Sequence, residues 1–263
     1  MTALADRYDA ILLDLDGVLY RGDQAVEGAA STVAELRDRG RRLAFLTNNS
    51  SRTPEQIVAK LAGLGITASP AEVVTSALAT ADLLVARGGG SAFAIGEDGL
   101  RRALAEAGIR VLSEDAERVD WVVVGLDRGA TYRSLTRACM LVQRGAKLVA
   151  TNGDVSFPVP EGVWPGAGAL LAVVTSTTGA TPEVVGKPRS PLFRSALDRA
   201  GGGRPLVVGD RIDTDIVGAV ELGWDSVLVL TGVSSESDLS ADGARPTYIG
   251  NDVGVLLDDP APR

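Results

Sequence analysis

The 263-residue sequence contains no histidine. That excludes serine–histidine and cysteine–histidine nucleophile pairs, histidine-bound zinc, and any mechanism that moves protons or phosphate through imidazole. A single cysteine, Cys139, excludes an internal disulfide. Its place in the helical pattern TYRSLTRACMLVQRG fits a small buried residue better than a nucleophile. Lysine is scarce as well: Lys60, Lys147 and Lys187 stand against 23 arginines. No apolar run approaches bilayer length, and the acidic start MTALADRYDA lacks the pattern of a secretory leader. Together with the lack of paired cysteines, this makes a cytoplasmic location the expectation. The net charge of -8 and pI near 4.7 leave no basic footprint, so neither nucleic acid nor an anionic membrane is expected as a partner. Catalysis in such a chain must run on carboxylates, hydroxyls, lysine and backbone dipoles, an inventory suited to hard cations such as Mg²⁺.

What is present is an alternation of short apolar runs with helical patterns. AILL (10–13) precedes an amphipathic stretch closed by Gly40. RLAFL (42–46) follows, and then a segment in which Thr53 can cap a helix that Pro54 opens. The pattern returns late, with PLVVGD (205–210), a helix near TDIVGAVELG and DSVLVL (225–230). Runs without strict alternation are the signature of strands buried on both faces. The expected fold is α/β, a doubly wound, Rossmann-like parallel-sheet core over 1–78 and 184–263. Between them, 79–183 reads as an inserted smaller α/β domain containing SAFAIG, DWVVVGL and KLVATNGD. The terminal DDPAPR is expected to fray.

In a parallel sheet, ligands gather at the carboxyl edge of the strands, above all where strand order reverses. Asp14 and Asp16 follow the first run, Thr47-Asn48-Asn49 the second, and Gly209-Asp210 the late one, while Gly186-Lys187 precedes a helix. Each alone has an ordinary explanation: an Asp-x-Asp is common, Asn and Ser are turn formers, and Asp213 or Asp215 can cap the next helix. Lys187 is harder to dismiss, because a cation near the positive end of a helix dipole is disfavoured unless an anion shares the place. A phosphate resolves that conflict, and a divalent cation offsets repulsion among Asp14, Asp16 and Asp210. A carboxylate can also act as covalent nucleophile in phosphoryl transfer, which asks mainly for positioning and charge neutralisation.

These four motifs, LDLDGVL, LTNNS, VGKP and VGDRIDTDI, in this order, resemble the haloacid dehalogenase superfamily of aspartate-nucleophile phosphatases. The resemblance implies that Asp14 is the nucleophile and that Asp14, Asp210 and the carbonyl of Asp16 hold Mg²⁺. It makes the Asp16 carboxyl the general acid and then base, and it gives the phosphoryl oxygens to Thr47, Asn48 and Lys187, with Asn49 alongside. Asp215 would support the metal site through a water or Lys187, and Gly17 would permit close backbone approach. The insert, with ATNGD and PGAGALLAVV, looks like the type II cap of the nitrophenylphosphatase branch, although Gly153 stands where the usual cap motif has proline. GDRIDTDIVGAVELG, LTGV and RPTYIG look most like actinobacterial glycerol-3-phosphate phosphatases. Asn152, Asp154 and the loop through Trp164 are the candidates for selecting the leaving group or, equally, for packing. The implied partner is a small phosphorylated metabolite, glycerol 3-phosphate first, with phosphoglycolate, pyridoxal phosphate and nucleoside monophosphates as alternatives. A homodimer through the cap is a further family expectation. A phosphosugar mutase and a phospho-accepting signalling module are the competing readings.

Overall fold

The structure is a computed structural model, and it describes residues 2–159, 161–240 and 243–262. The chain divides into two compact units, one formed by residues 1–47, 54–74 and 187–263 and the other by 48–53 and 75–186.

The first unit is built on a six-stranded sheet in the order Tyr248–Gly250, Asp225–Val229, Pro205–Gly209, Ala10–Asp14, Arg42–Thr47, Val73–Thr75. Ala10–Asp14 pairs in parallel with Pro205–Gly209 on one side and Arg42–Thr47 on the other. It is therefore the central strand at which the order reverses. All five of its residues are buried, as are those of Pro205–Gly209, which is why both read as unbroken apolar runs. Ile11, Leu13, Phe45, Val208 and Val227 join one core cluster with Leu36, Leu61 and Leu256. Register places Asp14 opposite Leu46, and Leu13 opposite Val208, so Asp14, Thr47 and Gly209 end neighbouring strands at one sheet edge. A short hairpin, Tyr20–Arg21 with Gln24–Ala25, follows the first strand. The C-terminal segment does not fray as expected through Pro260. Asp258 accepts the Leu4 N–H at 2.6 Å, Arg7 pairs with the Asp259 carboxylate, and Arg7 also donates to the Pro260 carbonyl at 3.3 Å. Arg263 lies outside the described residues.

The second unit carries its own five-stranded sheet, ordered Glu183–Val184, Lys147–Ala150, Trp121–Val124, Ser91–Ile95, Arg110–Val111, with parallel pairing throughout. Cys139 is buried in its core beside Val122, Leu141 and Leu148. An antiparallel hairpin, Ser156–Val159 with Gly162–Pro165, sets Phe157 edge-on to Trp164 with centroids 6.2 Å apart. Among the described residues no helix is long and apolar enough to cross a membrane.

Candidate active site

In the first unit, one lysine sits among buried carboxylates. Lys187 Nζ lies 2.7 Å from Asp14 Oδ1 and 2.7 Å from Asp215 Oδ1, and all three side chains are buried. Lys187 comes just before the helix Ser190–Arg199, whose first turn holds Pro191. Asp215 is set by a π-helical turn, Ile212–Ile216, in which its N–H bonds the Arg211 carbonyl at 3.0 Å. Asp210 follows the strand Pro205–Gly209, and its Oδ2 accepts the Val233 N–H at 2.7 Å. Asp14, Asp210 and Asp215 each present a carboxylate oxygen, all within 4.8 Å of one another.

The electrostatics follow from that crowding. Burial raises the pKa of Asp14 well above the usual carboxylate range; Lys187 pulls it down, and Asp215 and Asp210 push it up further. Asp210 is raised by burial and by Asp215, against the pull of the Val233 N–H and Lys187. Burial alone opposes the charge of Lys187, but Asp14 and Asp215 outweigh it and raise its pKa, so the ammonium persists at neutral pH. Three carboxylates against one ammonium leave the cluster short of positive charge. The donor set is all oxygen and space is preserved around it: a Cβ at Gly17 would fall 2.3 Å from Asp210 Oδ2, and one at Gly232 would fall 1.9 Å from it. A hard divalent cation fits both the charge and the chemistry of these donors. Gly17 also has φ +79°, a conformation glycine adopts without strain, and its carbonyl accepts the Thr231 hydroxyl at 2.5 Å.

The remaining expected residues fall into distinct places. Thr47 is buried at the end of its strand, next to the position opposite Asp14. Asp16 is exposed although both its neighbours are buried, and it forms a bridge with Tyr20 at the base of the short hairpin. In the second unit, Asn48, Asn152 and Asp154 come together. Asn48 Nδ2 donates to Asp154 Oδ2 at 3.1 Å, and Asn152 Nδ2 donates to the Asn48 carbonyl at 2.7 Å. Asn49 is exposed and closes a local turn by accepting from the Ser51 N–H at 2.8 Å. The Asn48 loop is tied further by Ser50, whose hydroxyl accepts from Thr151 Oγ1 at 3.2 Å and from the Leu126 N–H at 3.3 Å. Trp164 is partly exposed on its hairpin, and Gly153 is exposed.

Sequence reasoning gave no site role to Ser76, whose hydroxyl donates to the Asn48 carbonyl at 2.6 Å, or to the segment Thr231–Val233, which bonds Gly17 and Asp210. The second had a signal: a Thr-Gly turn directly after the apolar run DSVLVL is the same strand-end pattern that marked Asp210.

A buried acid–lysine cluster at the reversal point of a parallel sheet is the arrangement of a hydrolase that works through carboxylates. Comparison with known proteins agrees. Residues 11–110 match the profile of haloacid dehalogenase-like hydrolases, and residues 184–256 match a second profile, HAD-hydrolase-like. An acid sugar phosphatase of Staphylococcus epidermidis is 41% identical over 253 residues, covering 95% of this chain and 97% of that protein. The crystal structure of a glycerol phosphate phosphatase from Mycobacterium tuberculosis in complex with magnesium superposes with TM-score 0.93 at 38% identity, covering 98% of this chain and 79% of that one. A thermostable p-nitrophenylphosphatase mutant from Bacillus stearothermophilus gives TM-score 0.83 at 40% identity, covering 92% and 95%. The chain belongs to the haloacid dehalogenase-like hydrolases, in their p-nitrophenylphosphatase family. It is a phosphatase of that type, a phosphoric monoester hydrolase.

Proposed function

We propose that this enzyme hydrolyses a small phosphorylated polyol, glycerol 3-phosphate first, through an aspartyl-phosphate on Asp14. The observation that carries the reading is the contact of Lys187 with both Asp14 and Asp215 inside the buried acidic cluster. In the first step an Asp14 carboxylate oxygen attacks phosphorus as the bond to the leaving oxygen breaks, and Asp16 gives that oxygen a proton. In the second, Asp16 takes a proton from water, the water oxygen attacks phosphorus, and Asp14 is released with inorganic phosphate. Exposure suits Asp16 to this exchange, whereas burial suits Asp14 to attack in a site poor in competing water. Lys187 stays charged through both steps, orients Asp14 and faces the transferring oxygens with Thr47 and Asn48. Asp14, Asp210 and the carbonyl of Asp16 would hold Mg²⁺, which when bound neutralises phosphoryl charge. Asp215 supports the cluster by fixing Lys187.

Glycerol 3-phosphate leads because the similarity to the mycobacterial glycerol phosphate phosphatase extends over nearly the whole chain. Sugar phosphates form the second reading, favoured by the 41% identity to an acid sugar phosphatase. Family membership sets the signalling-module reading aside. The deciding measurement is phosphate release with Mg²⁺ from glycerol 3-phosphate, glucose 6-phosphate, phosphoglycolate, pyridoxal phosphate and nucleoside monophosphates, each repeated with EDTA. A preference for glycerol 3-phosphate in kcat/KM that EDTA abolishes is expected. A preference for glucose 6-phosphate would install the second reading.

A further inference from the structure

Asn48 is held more tightly than a polar turn requires. Its carbonyl accepts from Ser76 Oγ at 2.6 Å and from Asn152 Nδ2 at 2.7 Å, which occupies both lone pairs. Its side chain donates to Asp154 Oδ2 at 3.1 Å, and a Cβ at Gly186 would come within 2.5 Å of its Oδ1. The partners are themselves fixed. Asn152 is only 4% exposed; its Oδ1 accepts the Asp154 N–H at 3.1 Å, and its Nδ2 also lies 3.4 Å from Thr151 Oγ1. Ser76 is fully buried at the start of the helix Ser76–Ala86. The amide of Asn152 thus has its donors and acceptor directed into protein, whereas a residue that chooses among leaving groups must turn polar atoms toward them.

We infer that Asn152, Ser76 and Asp154 are positioning residues that fix Asn48 for the phosphoryl group shared by all substrates, and do not select the leaving group. The inference rests on the reading that Asn48 contacts that group. Its consequence is uniformity: loosening Asn48 weakens every phosphomonoester by the same factor and weakens inorganic phosphate with them. Losing one such hydrogen bond corresponds to roughly tenfold.

The experiment measures kcat and KM on glycerol 3-phosphate, glucose 6-phosphate and p-nitrophenyl phosphate, together with inhibition by inorganic phosphate, all with Mg²⁺. The variants are Asn152→Asp, Ser76→Ala, Asp154→Ala, Asp154→Asn and Asn48→Ala. Asn152→Asp keeps the acceptor for the Asp154 N–H but places an oxygen against the Asn48 carbonyl, and Ser76→Ala removes one hydroxyl, so folding survives in at least the second. Expected are equal losses of about tenfold in kcat/KM on all three substrates with a matching rise in the phosphate inhibition constant, and a smaller loss for Asp154→Asn, which retains an acceptor, than for Asp154→Ala. Losses that differ between substrates while phosphate inhibition stays unchanged would overturn the inference in favour of leaving-group contact. Wild-type phosphate inhibition in the Asn152, Ser76 and Asp154 variants, with Asn48→Ala impaired, would overturn it alone. Wild-type inhibition in Asn48→Ala would overturn it together with the reading on which it rests.

Discussion

At the scale of single residues, Asp14 and Asp16 differ more in environment than in chemistry. Asp14 is buried against Lys187 and Asp16 is exposed two positions on. The same side chain is therefore offered once as a buried oxygen held against a lysine and once as a group open to solvent. Asp14→Asn keeps shape and removes the oxygen proposed as nucleophile. Steady-state turnover should fall by roughly 10⁴-fold or more, the scale of deleting a nucleophile, while circular dichroism stays native. On the proposed roles, Asp16→Asn removes proton transfer alone and should cost about 10²- to 10⁴-fold in kcat with little change in Mg²⁺ affinity, because its carbonyl survives. A large loss of Mg²⁺ affinity in that variant would make the Asp16 side chain a ligand.

At the scale of elements, the site depends on how a strand end meets the turn beyond it. A Cβ at Gly209, the last residue of its strand, would sit 2.2 Å from both Cβ and Cγ of Asp215, so the turn Ile212–Ile216 closes over a position that only glycine leaves open. Gly209→Ala should cost about 1–3 kcal/mol of stability by overpacking and should also lower kcat, since Asp215 must move off Lys187. Gly63→Ala is the matched contrast. It lies at the exposed end of the helix Pro54–Gly63 with nothing within 4 Å of a Cβ, and it should leave activity intact and raise stability by up to about 1 kcal/mol. Thermal unfolding and turnover of both variants check the pair. This contrast also shows what a one-dimensional reading can reach. Strand ends carrying Asp14, Thr47 and Asp210 were legible because an apolar run ending in a polar group is a local pattern. The closeness of Gly209 to Asp215 was not, because it depends on the path of a turn. The hold of Asn152 and Asp154 on Asn48 spans 104 and 106 residues, so no local pattern announces it. The terminal DDPAPR looked free for the same reason, since its partners Leu4 and Arg7 stand at the other end of the chain.

At the scale of the whole molecule, the missing histidines make the acidic cluster visible to a simple titration. Between pH 5 and 8 few other groups change charge in either state, because that window ordinarily belongs to imidazole. The carboxylates whose pKa is lowered on folding, such as Glu72 and Asp225, are ionised in both states there and contribute a constant. Asp14 and Asp210 are shifted the other way. The unfolded chain gives up their protons near the ordinary value of 3.8, whereas the folded protein holds them to higher pH. Their share of stability is therefore full below that value and is lost as pH rises through the folded values. Held as proposed by Asp14 and Asp210, Mg²⁺ would compete with those protons, so its affinity should rise with pH and its stabilisation should grow as RT ln(1 + [L]/Kd), about 2.7 kcal/mol at a hundredfold excess over Kd. Melting curves from pH 5 to 8 should show a Tm that declines with pH in EDTA, and an increment from Mg²⁺ that widens over the same range. Asp210→Asn should flatten both dependences, because it removes one of the raised carboxylates and one metal donor together. A magnesium increment that is constant with pH, or unchanged in Asp210→Asn, would place the cation away from Asp14 and Asp210.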